Sequence, residues 1–146
     1  MKSTALIALL ALGLVARVAA ADAPPTDVVL FDHAKVAEAF AKGQPLLLNS
    51  SYKIQAGRRV APGNVEIHTN DTDVFYIMDG SATFVTGGTA ENTKTTGPGE
   101  IRGDKITGGV ARHLEKGDVI VIPAGVPHWF TEVSGTFLYF VVKVTK

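Results

Sequence analysis

From residue 46 onward the chain is a series of short apolar runs with a two-residue beat. The runs LLLNSSYKI, NVEIH, DVFYIM, SATFVTG, ARHL, DVIVIP, HWFTEV and TFLYFVVKV are rich in Val, Ile, Tyr and Phe and are separated by Gly and Pro. Such alternation suits strands with one buried face, and many short strands with turn signals between them predict an all-β sandwich or barrel. Two segments depart from the beat. DHAKVAEAFAK, residues 32–42, spaces Val36, Ala39 and Phe40 along one face of a helix, with Asp32 as N-cap and Gly43 as stop. The polar Gly/Thr-rich stretch 87–109 is too long for a hairpin turn and reads as a flap, or as a loop around one short strand at 100–102.

The other end of the chain changes the picture more than composition does. Met1-Lys2-Ser3-Thr4 is a positive start, Ala5 to Val15 is apolar, and Ala19-Ala20-Ala21 supplies small residues for cleavage. This is the layout of a secretory signal peptide, and the apolar run is too short for a stable membrane span. An uncleaved anchor is the alternative. Cleavage near Ala20 to Ala21 predicts an exported protein, periplasmic or secreted and free of the membrane afterwards. The chain then divides into residues 1–21 for export, 22–45 as leader and helix, and 46–146 as one β domain.

Composition mainly excludes. The sequence has 146 residues, 46% of them apolar, enough for one domain with a buried core. Its 14 basic side chains are matched by 14 acidic ones and form no run, which argues against a nucleic-acid partner. The absence of cysteine removes disulfides, thiolate metal ligands and a Cys nucleophile. No nucleophile elbow, phosphate-cradling loop or HExxH occurs.

The candidate chemistry starts at Gly117-Asp118-Val119-Ile120-Val121-Ile122-Pro123-Ala124-Gly125-Val126-Pro127-His128. A Gly-Asp turn launches an apolar strand, then a rigid Pro-Ala-Gly-Val-Pro bend delivers an imidazole onto the next strand. The spacing resembles the second motif of the cupin family up to and including His128; the family's Asn four residues later is Glu132 here. The first cupin motif is matched in part by Glu66-Ile67-His68, four residues, Asp73, six residues, Gly80. Glu66 stands at the family's first histidine and Asp73 at its glutamate. A second register, with His68 as the first histidine and Asn70 as the second, leaves too short a gap to Asp73.

Residues two apart on a strand share a face, so Glu66 and His68 point the same way. The resemblance implies that Asp73 and His128 join them, giving two imidazoles and two carboxylates for a divalent transition metal: Fe, Mn, Zn, Ni or Cu. The same groups could instead form a hydrogen-bonded polar patch in a barrel mouth. Four such groups in one small barrel need compensation, which favours metal.

Extending the inward faces adds Phe75, Ile77, Phe130 and Tyr139 as a pocket lining, with core packing the competing role for the two Phe residues. Glu132 becomes a candidate catalytic carboxylate. Trp129 alternates outward, to the barrel's exterior or an interface, and His113 reads as surface. Arg58, Arg59 and Arg102 read by default as solvated charges, with contact to an anionic substrate as the alternative. The resemblance covers residues 46–146 and implies a double-stranded β-helix (jelly-roll) barrel with the helix as an N-terminal addition, and pairing as a homodimer. Two functions are open. One is a metal-dependent enzyme (an oxygenase, isomerase or decarboxylase) acting on a small oxygenated molecule; the other is a non-catalytic ligand-binding protein with the metal structural or absent.

Overall fold

The computed structural model describes residues 22–146; the expected export segment lies outside them. The helix forms as its pattern requires. Helix α1 (His33–Lys42) starts where the Asp32 carboxylate accepts from the Lys35 backbone N–H at 2.8 Å. It stops at Gly43, whose φ of 64° lies in the left-handed region that glycine enters without a Cβ penalty. Its buried face sets Ala39 on the sheet and Phe40 edge-on to Phe140, with ring centroids 4.8 Å apart. No helix of the described residues is long and apolar enough to cross a membrane.

The rest is β structure, as the two-residue beat predicts. The strands are β1 (Pro45–Leu48), β2 (Tyr52–Arg59), β3 (Val65–His68), β4 (Asp71–Thr86), β5 (Thr89–Glu91), β6 (Lys94–Gly97), β7 (Glu100–Gly103), β8 (Lys105–Thr107), β9 (Val110–Glu115), β10 (Val119–Ile122) and β11 (His128–Thr145). All pairings are antiparallel. β11 is the hub, bonded to β2, β3 and β4, while β4 also carries β9 and β10, so the sheet wraps into the expected jelly-roll barrel.

Two differences from the sequence pattern matter. The runs DVFYIM and SATFVTG are one strand, β4, and HWFTEV and TFLYFVVKV are another, β11. The inward set of β4 changes from odd positions (Asp71, Asp73, Phe75, Ile77) to even ones (Ala82, Phe84) across Gly80. There φ is +74°, and a Cβ would run into the Thr136 carbonyl oxygen. β11 switches likewise, from His128 and Phe130 to Phe137, Tyr139, Val141 and Lys143, through register shifts beginning between Phe130 and Glu132. The stretch 87–109 holds four short strands, β5 to β8, where one was expected, and among them β7 pairs directly with β3.

The core is aromatic. Phe75, Phe84, Phe130, Phe137 and Tyr139 pack with Ile77, Leu114, Ile122 and Val141. Phe84 and Phe130 have centroids 4.4 Å apart, and Phe75 stacks on Phe130 at 6.2 Å. Burying each such ring contributes roughly 1.5–3 kcal/mol. On the outer face, Trp129 is half-buried and donates from Nε1 to the Gly63 carbonyl at 2.6 Å.

Candidate metal centre

Strand β3 runs between β11 and β7, and this placement assembles the site. Glu66 lies opposite His128 on β11 and opposite Arg102 on β7, while His68 lies opposite Glu100. Cross-strand partners share a face, so two short strands and the start of a long one deliver these side chains to one side.

The proline-rich bend aims His128. The Gly125 N–H donates to the His68 carbonyl at 2.8 Å, Val126 closes the turn onto Pro123, and Gly87 donates to Pro127. His128 Nδ1 then lies 3.1 Å from the Val126 carbonyl oxygen. A carbonyl only accepts, so Nδ1 carries the proton and Nε2 is left with its lone pair. His68 is set the same way by a different partner, because its Nδ1 lies 2.9 Å from both carboxylate oxygens of Glu100. Its Nε2 is buried with no hydrogen-bond partner. A carboxylate or carbonyl holding the far nitrogen of each imidazole is the arrangement that orients histidine ligands toward a metal.

Glu66, His68 and His128 each present a ligand atom, all within 4.8 Å of one another. The His rings are 5.1 Å apart. His68 Nε2 is 3.5 Å from Glu66 Oε2 and 3.6 Å from Asp73 Oδ2, too far for good hydrogen bonds. Asp73 belongs to this neighbourhood but is otherwise engaged. Its Oδ2 accepts from Lys143 Nζ at 2.6 Å, directly across the β4–β11 ladder, and its Oδ1 is buried without a partner.

The electrostatics follow from these contacts. For Glu66, burial opposes ionisation, yet His68, Arg59, Arg102 and His128 together hold its carboxyl well below the usual range. Arg59 supplies the closest contact, NH2 to Oε1 at 2.7 Å, and its guanidinium also donates to the Tyr139 hydroxyl and lies 4.6 Å over the Phe130 ring. Burial would lower the basicity of His68, but Glu66, Asp73 and Glu100 outweigh it and the opposing Lys143, and the net shift is upward. For His128, burial and the nearby His68 prevail and the shift is downward. A neutral His128 is the form that ligates.

A cavity of about 60 Å³ beside the cluster is lined by Arg59, Glu66, Asp73, His128, Lys143 and the rings of Phe75, Phe130 and Tyr139. At ~30 Å³ per water it has room for about two waters. Gln55, Arg59, Glu66, Tyr139 and Val141 also line an open outer groove of about 470 Å³.

Of the residues expected at the site, Phe75, Phe130 and Tyr139 therefore lie on the cavity, whereas Ile77 is fully buried in the core away from the lining. Glu132 is not brought to the cluster. The shift after Phe130 turns it outward, where it is exposed and accepts from the Thr83 hydroxyl at 2.9 Å. His113 is exposed, as its position in the pattern predicts, and so is Arg58. Arg59 and Arg102 are paired charges: Arg59 bonds Glu66 at 2.7 Å, while Arg102 bonds Glu100 at 3.1 Å and lies 3.8 Å from Glu66.

Two residues escaped the sequence reading. Lys143 had a signal, since it follows Phe137, Tyr139 and Val141 on the inward beat of β11. Glu100 had none, because nothing in a Gly/Thr-rich stretch announces that its strand pairs with β3.

A family model described as Cupin matches residues 21–146. A search of curated proteins finds no match. Among solved structures, a conserved protein of Klebsiella pneumoniae with a double-stranded beta-helix domain is 16% identical with a TM-score of 0.51. That alignment covers 82% of this chain and 91% of that one. A Bacillus halodurans protein is 13% identical with a TM-score of 0.60, covering 86% of each chain. The cupin domain of Schizosaccharomyces pombe Cnp3 is 12% identical with a TM-score of 0.51, covering 71% of this chain and 60% of that one. At such identities the likeness concerns the fold.

Proposed function

The chain belongs to the cupin family, and on that premise we propose that it is an exported cupin holding a divalent transition metal on Glu66, His68 and His128. The observation that carries the reading is the state of the two imidazoles. Each has its Nδ1 held by a fixed acceptor, Glu100 or Val126, and each presents its Nε2 side within reach of an ionised Glu66, His128 neutral and His68 ready to ligate once its second proton leaves. The His68 Nε2 is an orphaned buried polar atom, which a bound cation would satisfy. Two His and one carboxylate would hold such an ion, and the N/O donors suit Fe, Mn, Zn, Ni or Cu.

The ligand in this reading is a small oxygenated molecule. It would enter by the outer groove and meet cationic donors from Arg59 and Lys143 against the Phe75 and Phe130 rings. A bound metal would supply Lewis acidity or oxygen activation there. Export rests on residues 1–21, and N-terminal sequencing of protein from the extracytoplasmic fraction tests it: a start near Asp22 supports cleavage, an intact Met1 opposes it.

A second reading has its own observation. Each carboxylate of the site has a cation within the chain: Arg59 for Glu66, Lys143 for Asp73, and Arg102 for Glu100. Such balance suits a non-catalytic ligand-binding cupin that needs no metal. Elemental analysis of mature protein from its native compartment, beside His68→Ala and His128→Ala, separates the two. About one equivalent of a transition metal, lost in both variants, supports the metal centre; folded protein that takes up none when offered several leaves the binding module.

A further inference from the structure

We propose that Lys143 competes with the metal for Asp73, and so restricts the centre to three protein ligands. This rests on the metal-binding reading above. Asp73 is 1% exposed and Lys143 8% exposed, and they face each other across the β4–β11 ladder with Nζ 2.6 Å from Oδ2. The same Oδ2 is only 3.6 Å from His68 Nε2, the nitrogen that would bind the metal. Asp73 is therefore near enough to be drawn in, yet one oxygen is committed to an ammonium and the other, Oδ1, has no partner at all. Glu66, by contrast, gives Oε1 to Arg59 and keeps Oε2 toward His68, with Arg102 no nearer to that oxygen than 3.8 Å and not hydrogen-bonded to it.

The physical argument is competition between two cations for one carboxylate. Asp73 and Lys143 are both buried, so an ammonium and a divalent ion lining the same small cavity repel each other more strongly than they would at the surface. Lys143 also compensates a charge that could not otherwise stay buried, because an ionised carboxylate taken out of water needs a partner. Without Lys143, Asp73 would need another cation, and the metal is the candidate at hand. The lysine thus keeps the apo site folded and keeps the loaded site open.

The test is Co(II) titration of the mature chain, reading affinity and the visible d–d spectrum, for wild type, Lys143→Met, Lys143→Arg and Lys143→Met/Asp73→Asn. Removing the cation is expected to tighten Co(II) by roughly tenfold or more and to change the band shape as a carboxylate joins the coordination. Lys143→Arg keeps a cation and should stay near wild type, and the double variant should lose the gain. If Lys143→Met does not fold, Lys143→Gln, whose amide can still bond Asp73, is read in its place. Wild type that binds Co(II) while Lys143→Met or Lys143→Gln shows neither tighter binding nor a new spectrum overturns this inference alone. No Co(II) binding by any of them overturns the metal reading and this inference with it.

Discussion

Replacing Arg59 by Met keeps most of the aliphatic stem and removes the guanidinium, so the change isolates what the charge contributes. Three contacts go. The first is the charged hydrogen bond to Glu66 at 2.7 Å between side chains only 22% and 24% exposed, about 1.5–3 kcal/mol for a bond of this kind. The second is the bond to the Tyr139 hydroxyl at 3.1 Å, about 1 kcal/mol. The third is the guanidinium over the Phe130 ring at 4.6 Å, about 0.5–2 kcal/mol. Arg102 remains near Glu66 at 3.8 Å and recovers part of the loss. A net destabilisation of about 2–4 kcal/mol at neutral pH is expected.

Its pH dependence is the sharper check. Glu66 has a folded pKa depressed below its ordinary 4.5. Its stabilisation is therefore fully present above that value and is lost as pH falls through the lower folded pKa. The gap between wild type and Arg59→Met should be constant from pH 7 to about pH 5.5 and should narrow below pH 4.5 as the Glu66 part disappears. Urea unfolding of metal-free protein at pH 7, 4.5 and 3.5 measures it. A difference under about 0.5 kcal/mol at pH 7, or one that widens on acidification, would refute the reasoning.

Two further changes probe the site's supports. Gly57→Ala should destabilise by about 1–3 kcal/mol, since overpacking is the cost: a Cβ there would lie 2.5 Å from Cζ of the Tyr139 ring, which rests across β2. Thermal melts read this, and an unchanged midpoint would show that the ring moves aside freely. Glu100→Ala leaves His68 Nδ1 without its carboxylate and should weaken metal binding by about 10–100-fold with little change in fold; affinity equal to wild type in a competition titration would mean that Glu100 does not orient the imidazole.

How much of this was readable beforehand depends on whether a residue's surroundings are local. His128 was legible because a rigid bend precedes it, and Glu66 with His68 because a two-residue spacing needs no partner to share a face. Glu132 breaks the two-residue rule. Counting by twos from His128 through Phe130 puts it inside, and one register shift puts it outside. Nothing in HWFTEV marks that shift, because a bulge answers to the partner strand.

By itself the sequence determined the strand-rich domain, the capped helix over 33–42 and the residue types available for metal ligation. These follow from periodicity, turn chemistry and side-chain donors, all properties of short windows. Only the tertiary structure decided the pairing of β3 with β7, which brought Glu100 to His68 and Arg102 to Glu66. It alone placed Lys143 on Asp73 and turned Arg59 inward. Arg59 and Glu66 are 7 residues apart, but Arg59 is also held by Tyr139, and the other partners likewise lie 32 to 80 residues away in the chain; the charge balance of a buried site depends on which of them arrive.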